Sequence, residues 1–230
     1  MAATFHAFDT PIECATALAK AVAQDLRATL AKQPRATLAV SGGRSPVSFF
    51  QILSRADLDW GSVDIILADE RIVPTTHADS NTALVRQHLL QNRAAAANWL
   101  PLVEDIQLDW SPEGAVQTAL EHYRQPDILI LGMGADGHTA SLFPQAPQLA
   151  DGLSPAYMQP LMHISPVTAP HERISITLSA VERTPHVYLA INGREKKMAY
   201  ARAVAEKSAR YPISHILHSR KVRCEVYYAD

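Results

Sequence analysis

Asp136 and His138 stand two residues apart in the segment Gly132-Met133-Gly134-Ala135-Asp136-Gly137-His138-Thr139-Ala140-Ser141-Leu142-Phe143-Pro144. A carboxylate beside an imidazole can hold and move a proton, and three glycines let backbone N–H groups approach a bound anion or oxyanion without a Cβ in the way. Binding and proton transfer are therefore expected from one short loop. The same segment spells G-x-G-x-x-G, so a dinucleotide site has to be weighed. Such a site needs a long helix after the last glycine and an acidic residue about 20 positions further on for the ribose. Here Pro144 and Pro147 cut the following helix short, and the residue 20 positions past Gly137 is Tyr157. A small phosphorylated ligand fits better, and the plainest alternative is a tight strand-to-helix turn with no further role.

Other polar clusters follow apolar runs. Ser41-Gly42-Gly43-Arg44-Ser45-Pro46 comes after Leu38-Ala39-Val40. Helix-start amides, the helix dipole and Arg44 would together attract a phosphate; the alternative is a tight turn with Arg44 in solvent. Ser45-Pro46 also reads as a capping hydroxyl before a proline at the first helical position. Asp69-Glu70-Arg71 follows Ile65-Ile66-Leu67-Ala68 and offers acids and a cation to a polyhydroxylated, charged ligand. Alternation along an extended chain separates the roles of Asp69 and Glu70, and a surface ion pair with Arg71 is an equal reading for Glu70. Arg173 and Lys196 are further cations where strands and helices meet. A lysine in the first helical turn is unfavourable on dipole grounds unless an anion is near, and solvated charges are the alternative for both. His215 and His218, spaced i, i+3, lack a third ligand, so no metal site is expected.

Strand-like runs at 4–8, 37–41, 63–68, 99–103, 127–131, 162–165, 173–178, 186–192 and 224–228 would position these clusters, several of them apolar throughout as in strands covered on both faces. Helical patterns at 13–30, 115–123 and 194–207 alternate with them, the second preceded by Ser111-Pro112-Glu113. The alternation predicts an α/β fold with a doubly wound, mainly parallel sheet and helices on both faces, whose ligand lies at the strand C-termini. At 230 residues one domain spanning 1–230 is expected, large enough to bury roughly 70% of its unfolded surface. The interval 144–170, rich in proline, is the loosest stretch and a candidate flap.

A formal net charge of −2, with 47% hydrophobic and 19% charged residues, describes a globular chain with no field to draw nucleic acid. Cys14 and Cys224 form no C-x-x-C pair, so reduced thiols are expected. Lys20 is the first cation, which leaves no secretory n-region, and no apolar stretch reaches the 18 residues of a membrane span. The expectation is a cytoplasmic chain acting on a small molecule, without nucleic-acid or membrane partners, as a monomer or weak homo-oligomer.

Taken in order, residues 41–46, 69–74, Asp79-Ser80-Asn81, 131–144, 172–177 and 193–196 resemble the 6-phosphogluconolactonase family, with the Gly132 to Pro144 segment the most specific match. The resemblance implies hydrolysis of 6-phospho-D-glucono-1,5-lactone to 6-phospho-D-gluconate in the oxidative pentose phosphate pathway. It also implies a Rossmann-like fold shared with aminosugar-phosphate isomerases and no required metal or organic cofactor. The related glucosamine-6-phosphate deaminases share the Asp-Gly-His core but carry a glutamate where this chain has Phe143, and a tyrosine where it has Arg71. An apolar ring cannot orient an imidazole through a carboxylate, which weighs against isomerase chemistry. A sugar-phosphate-sensing domain of a transcription regulator is a third possibility, but the 36 residues before Thr37 show no basic recognition helix. On the lactonase reading His138 is the base and Asp136 positions the ring or orders substrate hydroxyls. Amides of the glycine loop, Gly134 and Gly137 included, would stabilise the oxyanion. Ser41, Gly42, Gly43, Arg44, Asp69, Arg71, Arg173 and Lys196 would hold the substrate.

Overall fold

The computed structural model describes residues 3–43, 45–104 and 110–230. Its elements run β1 (Thr4–Phe8), α1 (Pro11–Leu30), β2 (Ala36–Val40), α2 (Val47–Leu53), β3 (Val63–Leu67), β4 (Asp69–Arg71), α3 (Asn81–His88), β5 (Asn98–Trp99), α4 (Pro112–His122) and β6 (Ile128–Gly132). They continue with α5 (Leu149–Gly152), β7 (Leu161–Ile164), β8 (Arg173–Ile176), α6 (Leu178–Val181), β9 (His186–Asn192), α7 (Arg194–Ala205), α8 (Ile213–Leu217) and β10 (Cys224–Ala229).

Seven strands form one sheet in the order β1-β10-β9-β6-β2-β3-β5, parallel at every pairing. Every residue of β2 and β3 is buried, which requires cover on both faces and explains why these segments, Thr37 and Asp64 apart, are apolar without alternation. α1 supplies part of that cover, packing on β10 and α2. Its start is written in the sequence: Thr10 accepts from the Glu13 amide while Glu13 accepts from the Thr10 amide, with a proline at the first turn. Cys14, Leu18, Ala19, Val22, Ala23 and Leu26 then recur at helical spacing and are all buried. Both cysteines are free and buried.

The small second sheet, β4-β8-β7, is antiparallel. Two of the expected strands, near 162–165 and 173–178, belong to it instead of the parallel sheet. The connection between them, residues 165–172, is too short for a parallel crossover, which takes a dozen residues or more. β4 was not expected as a strand at all. Ala68 donates to the Val40 carbonyl and accepts from the Ile176 amide, both at 2.8 Å, so it joins the small sheet to the C-terminal edge of the large one.

Three other expectations shift. The run 99–103 reduces to a two-residue strand. α2 begins after Pro46, which is itself the N-cap in helical conformation (φ −82°) without a side-chain cap. The Pro46 carbonyl accepts the first helical bond, from the Phe50 amide, which places Ser45 one residue ahead of the N-cap position it was expected to fill. The interval 144–170 is built into the fold: Ala146, Leu149, Leu153, Met162 and Ile164 are buried with Leu142 and Phe143 in a second apolar cluster. By contrast Ser111 caps α4 as expected, accepting from the Gly114 amide.

Candidate active site

The C-terminal ends of β2 and β6 and the small sheet standing on them enclose a cavity of about 450 Å³. Ser41, Gly42, Gly43, Asp69, Arg71, Gly134, His138, Arg173 and Lys196 all line it. Segments separated by more than a hundred residues thus converge where an open parallel sheet places ligands. Asp136 and Gly137 lie in the same loop but off the lining. Arg44 falls outside the described residues.

His138 contributes an imidazole whose Nδ1 lies 2.7 Å from Asp136 Oδ1. That contact assigns the Nδ1 proton to the carboxylate side and leaves Nε2 as the basic nitrogen of the neutral ring. Burial alone would raise the Asp136 carboxyl. The hydrogen bond and charge of His138 and its backbone amide outweigh that effect and hold it below the usual carboxylate range. Gly134 makes the pair possible, since a Cβ there would sit 2.3 Å from the imidazole and 2.4 Å from Asp136 Oδ1. The other face of the imidazole stacks on Phe143, ring centroids 4.3 Å apart, and the Arg173 guanidinium lies 5.7 Å from the same phenyl ring. Phe143 is 6% exposed.

One expectation for this loop fails. The Gly134 amide donates to the His138 carbonyl at 2.9 Å, and the Gly137 amide to the Gly134 carbonyl at 3.0 Å. Both are spent on closing the loop, so neither faces a developing oxyanion. Gly137 has φ +79° and packs on Tyr211.

Across the cavity the groups are positive. Arg173 is 4% exposed, and burial followed by the charge of Arg71 pulls its guanidinium below the usual arginine range. Burial also lowers the Lys196 ammonium. Arg71 donates through Nη1 to the Asp79 carbonyl, and Arg173 through Nη2 to the Pro170 carbonyl at 2.9 Å. Three buried polar atoms in this wall, Arg71 Nε, Arg173 Nε and Ser41 Oγ, have no hydrogen-bond partner among the described residues. Buried donors without partners are rare, and two repelling guanidiniums beside a hydroxyl are the complement of a multiply charged oxyanion.

The acids behave differently from one another. Asp69 lines the cavity and accepts from the buried Ser141 hydroxyl at 2.6 Å, while Ser141 donates its amide to Ser175 Oγ at 3.1 Å. Glu70 turns the other way, as alternation requires. It is fully buried and makes no ion pair with Arg71. Its two oxygens accept the amides of Arg71, Asn81 and Thr82 at 2.7–2.8 Å and the Ser80 hydroxyl at 3.2 Å. It therefore clamps the start of α3. That start delivers Asn81, whose side chain donates to the Asp69 carbonyl at 2.9 Å and lies so near Gly42 that a Cβ there would fall 1.9 Å from Asn81 Oδ1.

Ser45, Asp79, Asn81, Phe143 and His171 line the cavity as well, although sequence reasoning gave them no binding role. Asp79 and Asn81 flank a serine at a helix start, and His171 lies two residues before Arg173. Alternation along the strand that follows hinted at His171, and Asp79 and Asn81 lay in a segment that carried the family resemblance.

A comparison with protein families matches residues 9–225 to the glucosamine-6-phosphate isomerases/6-phosphogluconolactonase family. The chain belongs to this family. A 6-phosphogluconolactonase of Neisseria meningitidis is 52% identical over 228 residues, covering 98% of this chain and 99% of its own. Among solved structures, a Neisseria gonorrhoeae chain superposes with a TM-score of 0.97 at 53% identity, covering 99% of this chain and all of the other. A 6-phosphogluconolactonase of Shewanella baltica OS155 gives a TM-score of 0.93 at 36% identity, with 99% and 98% covered. Membership spans both activities in the family's description, so the choice between them rests on the site and on these relatives.

Proposed function

We propose that the chain hydrolyses 6-phospho-D-glucono-1,5-lactone to 6-phospho-D-gluconate. The observation that carries this reading is the pairing of a carboxylate-oriented imidazole with a cationic wall across one cavity, in which the Nε atoms of Arg71 and Arg173 have no partner among the described residues. The near-complete match to 6-phosphogluconolactonases supports the same choice. Phe143 beside His138 supports it further, because ring opening and isomerisation of an aminosugar needs a second proton-transfer partner there.

In the proposed reaction His138 Nε2 takes a proton from water as the water oxygen bonds to the lactone carbonyl carbon. The tetrahedral intermediate then collapses, the bond from that carbon to the ring oxygen breaks, and the imidazolium returns the proton to the leaving oxygen. Asp136 keeps the imidazole in the required tautomer and stabilises its charged form. Arg71, Arg173 and Lys196, with the Ser41 hydroxyl and the Gly42–Gly43 turn, hold the phosphate. Arg44 is proposed as a further cation, and Asp69 as an acceptor for sugar hydroxyls. We assign the work to residues 1–230 as one domain, in the cytoplasm, as a monomer or weak homo-oligomer. The net charge of −2 supports a small-molecule partner over nucleic acid.

A coupled assay on freshly generated lactone, run beside glucosamine-6-phosphate, tests the proposal. Lactone consumption well above the spontaneous rate is expected, with none of the aminosugar turned over. His138→Ala should lower kcat by about 10²–10⁴ with KM nearly unchanged. Lactone opening no faster than in buffer, or turnover of the aminosugar, defeats the reading.

A further inference from the structure

Three metal-ligating side chains gather at the edge of the cavity with no part in the proposed hydrolysis. His77 and Asp79 come from the turn between β4 and α3, and His171 from the turn before β8. One donor atom from each lies within 4.8 Å of the other two. His171 Nε2 is 2.9 Å from Asp79 Oδ2, and His77 Nδ1 is 3.9 Å from the same oxygen. Bonds of about 2.0–2.2 Å to a tetrahedral ion place ligand atoms about 3.3 Å apart, a spacing these two distances bracket. His77 and Asp79 are exposed, with side-chain exposures of 42% and 52%, so closing on an ion displaces no packed core. His77 Nδ1 accepts the Asp79 amide at 3.1 Å, so it is unprotonated there, and ligation exchanges that amide contact for the ion.

We propose that His77, Asp79 and His171 form a binding site for a transition-metal dication of the zinc class. Two imidazoles and one carboxylate suit zinc, cobalt or nickel, whereas magnesium and calcium take oxygen ligands. Three protein ligands leave a coordination position open, and Asp79 and His171 both line the cavity, so that position gives onto it. Arg71, bonded to the Asp79 carbonyl, and the neighbouring Arg173 repel a dication, which makes the site weaker than a structural zinc centre. A comparable cluster fails on geometry: His163 and Ser165 both meet Glu172 Oε2, and both Ser165 and Glu172 use the same imidazole nitrogen, Nε2. That cluster closes on itself and offers nothing to a ligand.

Calorimetric titration of the chelator-stripped full chain with zinc chloride tests the site without reference to turnover. Wild type should bind one ion, and magnesium chloride should give no binding. His77→Gln and His171→Gln should each weaken zinc binding by at least about tenfold, while His6→Gln, at the far edge of the sheet, leaves it unchanged. Cobalt(II) added to wild type should develop visible ligand-field absorption that His77→Gln loses. Melting curves of the metal-free variants verify folding, and exposed His77 guards against an unfolded His171→Gln. Zinc bound equally well by wild type and His77→Gln, or not bound by wild type, overturns the proposal.

Discussion

His138 is fixed from two sides by unlike neighbours, a carboxylate in its plane and a phenyl ring against its face. The first contact sets the tautomer and the second sets the rotamer, and their substitutions should separate. Asp136→Asn is expected to lower kcat by about 10²–10⁴, because an amide can present its NH2 to Nδ1 and stabilise the wrong tautomer. Steady-state kinetics at pH 7 measure this, and an unchanged kcat would remove Asp136 from the proposed chemistry. Phe143→Leu keeps the pocket apolar but loses the stack, worth about 0.5–1.5 kcal/mol, so kcat should fall by about tenfold or less. The Asp-Gly-His motif made the first contact legible in the sequence. The second was not, since nothing in the order of residues says that the phenyl ring folds back over the imidazole and under Arg173. The loss of the Gly134 and Gly137 amides to the loop's own carbonyls was equally hidden, because glycine spacing announces accessible backbone without saying what it meets.

At the scale of elements, two buried acids hold the frame. Glu70 is saturated by four donors at the start of α3. Glu70→Gln turns an NH2 toward two of them and should cost about 1–3 kcal/mol, lowering Tm by about 5 °C for a chain of this length. KM should rise with it, since the clamp also seats Arg71; thermal melts and kinetics read the two effects. Asp64, on β3, meets Arg35 at 2.5 Å and Asn98 at 2.8 Å. Burial would raise its carboxyl, but these partners prevail and hold it low. A depressed carboxyl gives stability that is present above its unfolded value, about 3.9, and is lost as pH falls through the lower folded value. Asp64→Asn should therefore reduce Tm by about 2 °C at pH 7, and the gap should close below about pH 4. A gap that persists into acid would mean the carboxylate charge contributes nothing. The apolar stripe of α1 gave 13–30 and its exact end, while the start at Pro11 follows from the Thr10 cap and the proline, which the stripe alone does not reveal. β4 could not, because three charged residues carry no strand pattern, and its existence depends on β8, about a hundred residues away.

Across the whole molecule, alternating strands and helices predicted the parallel sheet, while the order of its strands left no mark in the sequence. β6 lies between β2 and β9, and only packing in three dimensions selects such neighbours. That order brings the glycine loop after β6 and the glycine turn after β2 to one end. Because the cationic wall exists before any ligand arrives, occupancy should be visible as stability. At a hundredfold excess over its Kd, 6-phosphogluconate should add about 2.7 kcal/mol, a rise in Tm of several degrees, and Arg173→Ala should abolish it. Differential scanning calorimetry decides this, and an equal rise in the variant would move the phosphate elsewhere.

β1 has a single neighbour in the sheet, and that neighbour is β10, in register from Thr4 opposite Glu225 to Phe8 opposite Ala229. β1 thus has nothing to pair with until a strand from far along the chain is in place beside it. Until then its backbone donors and acceptors are open to other chains, and a disturbance of either strand would be felt at the other.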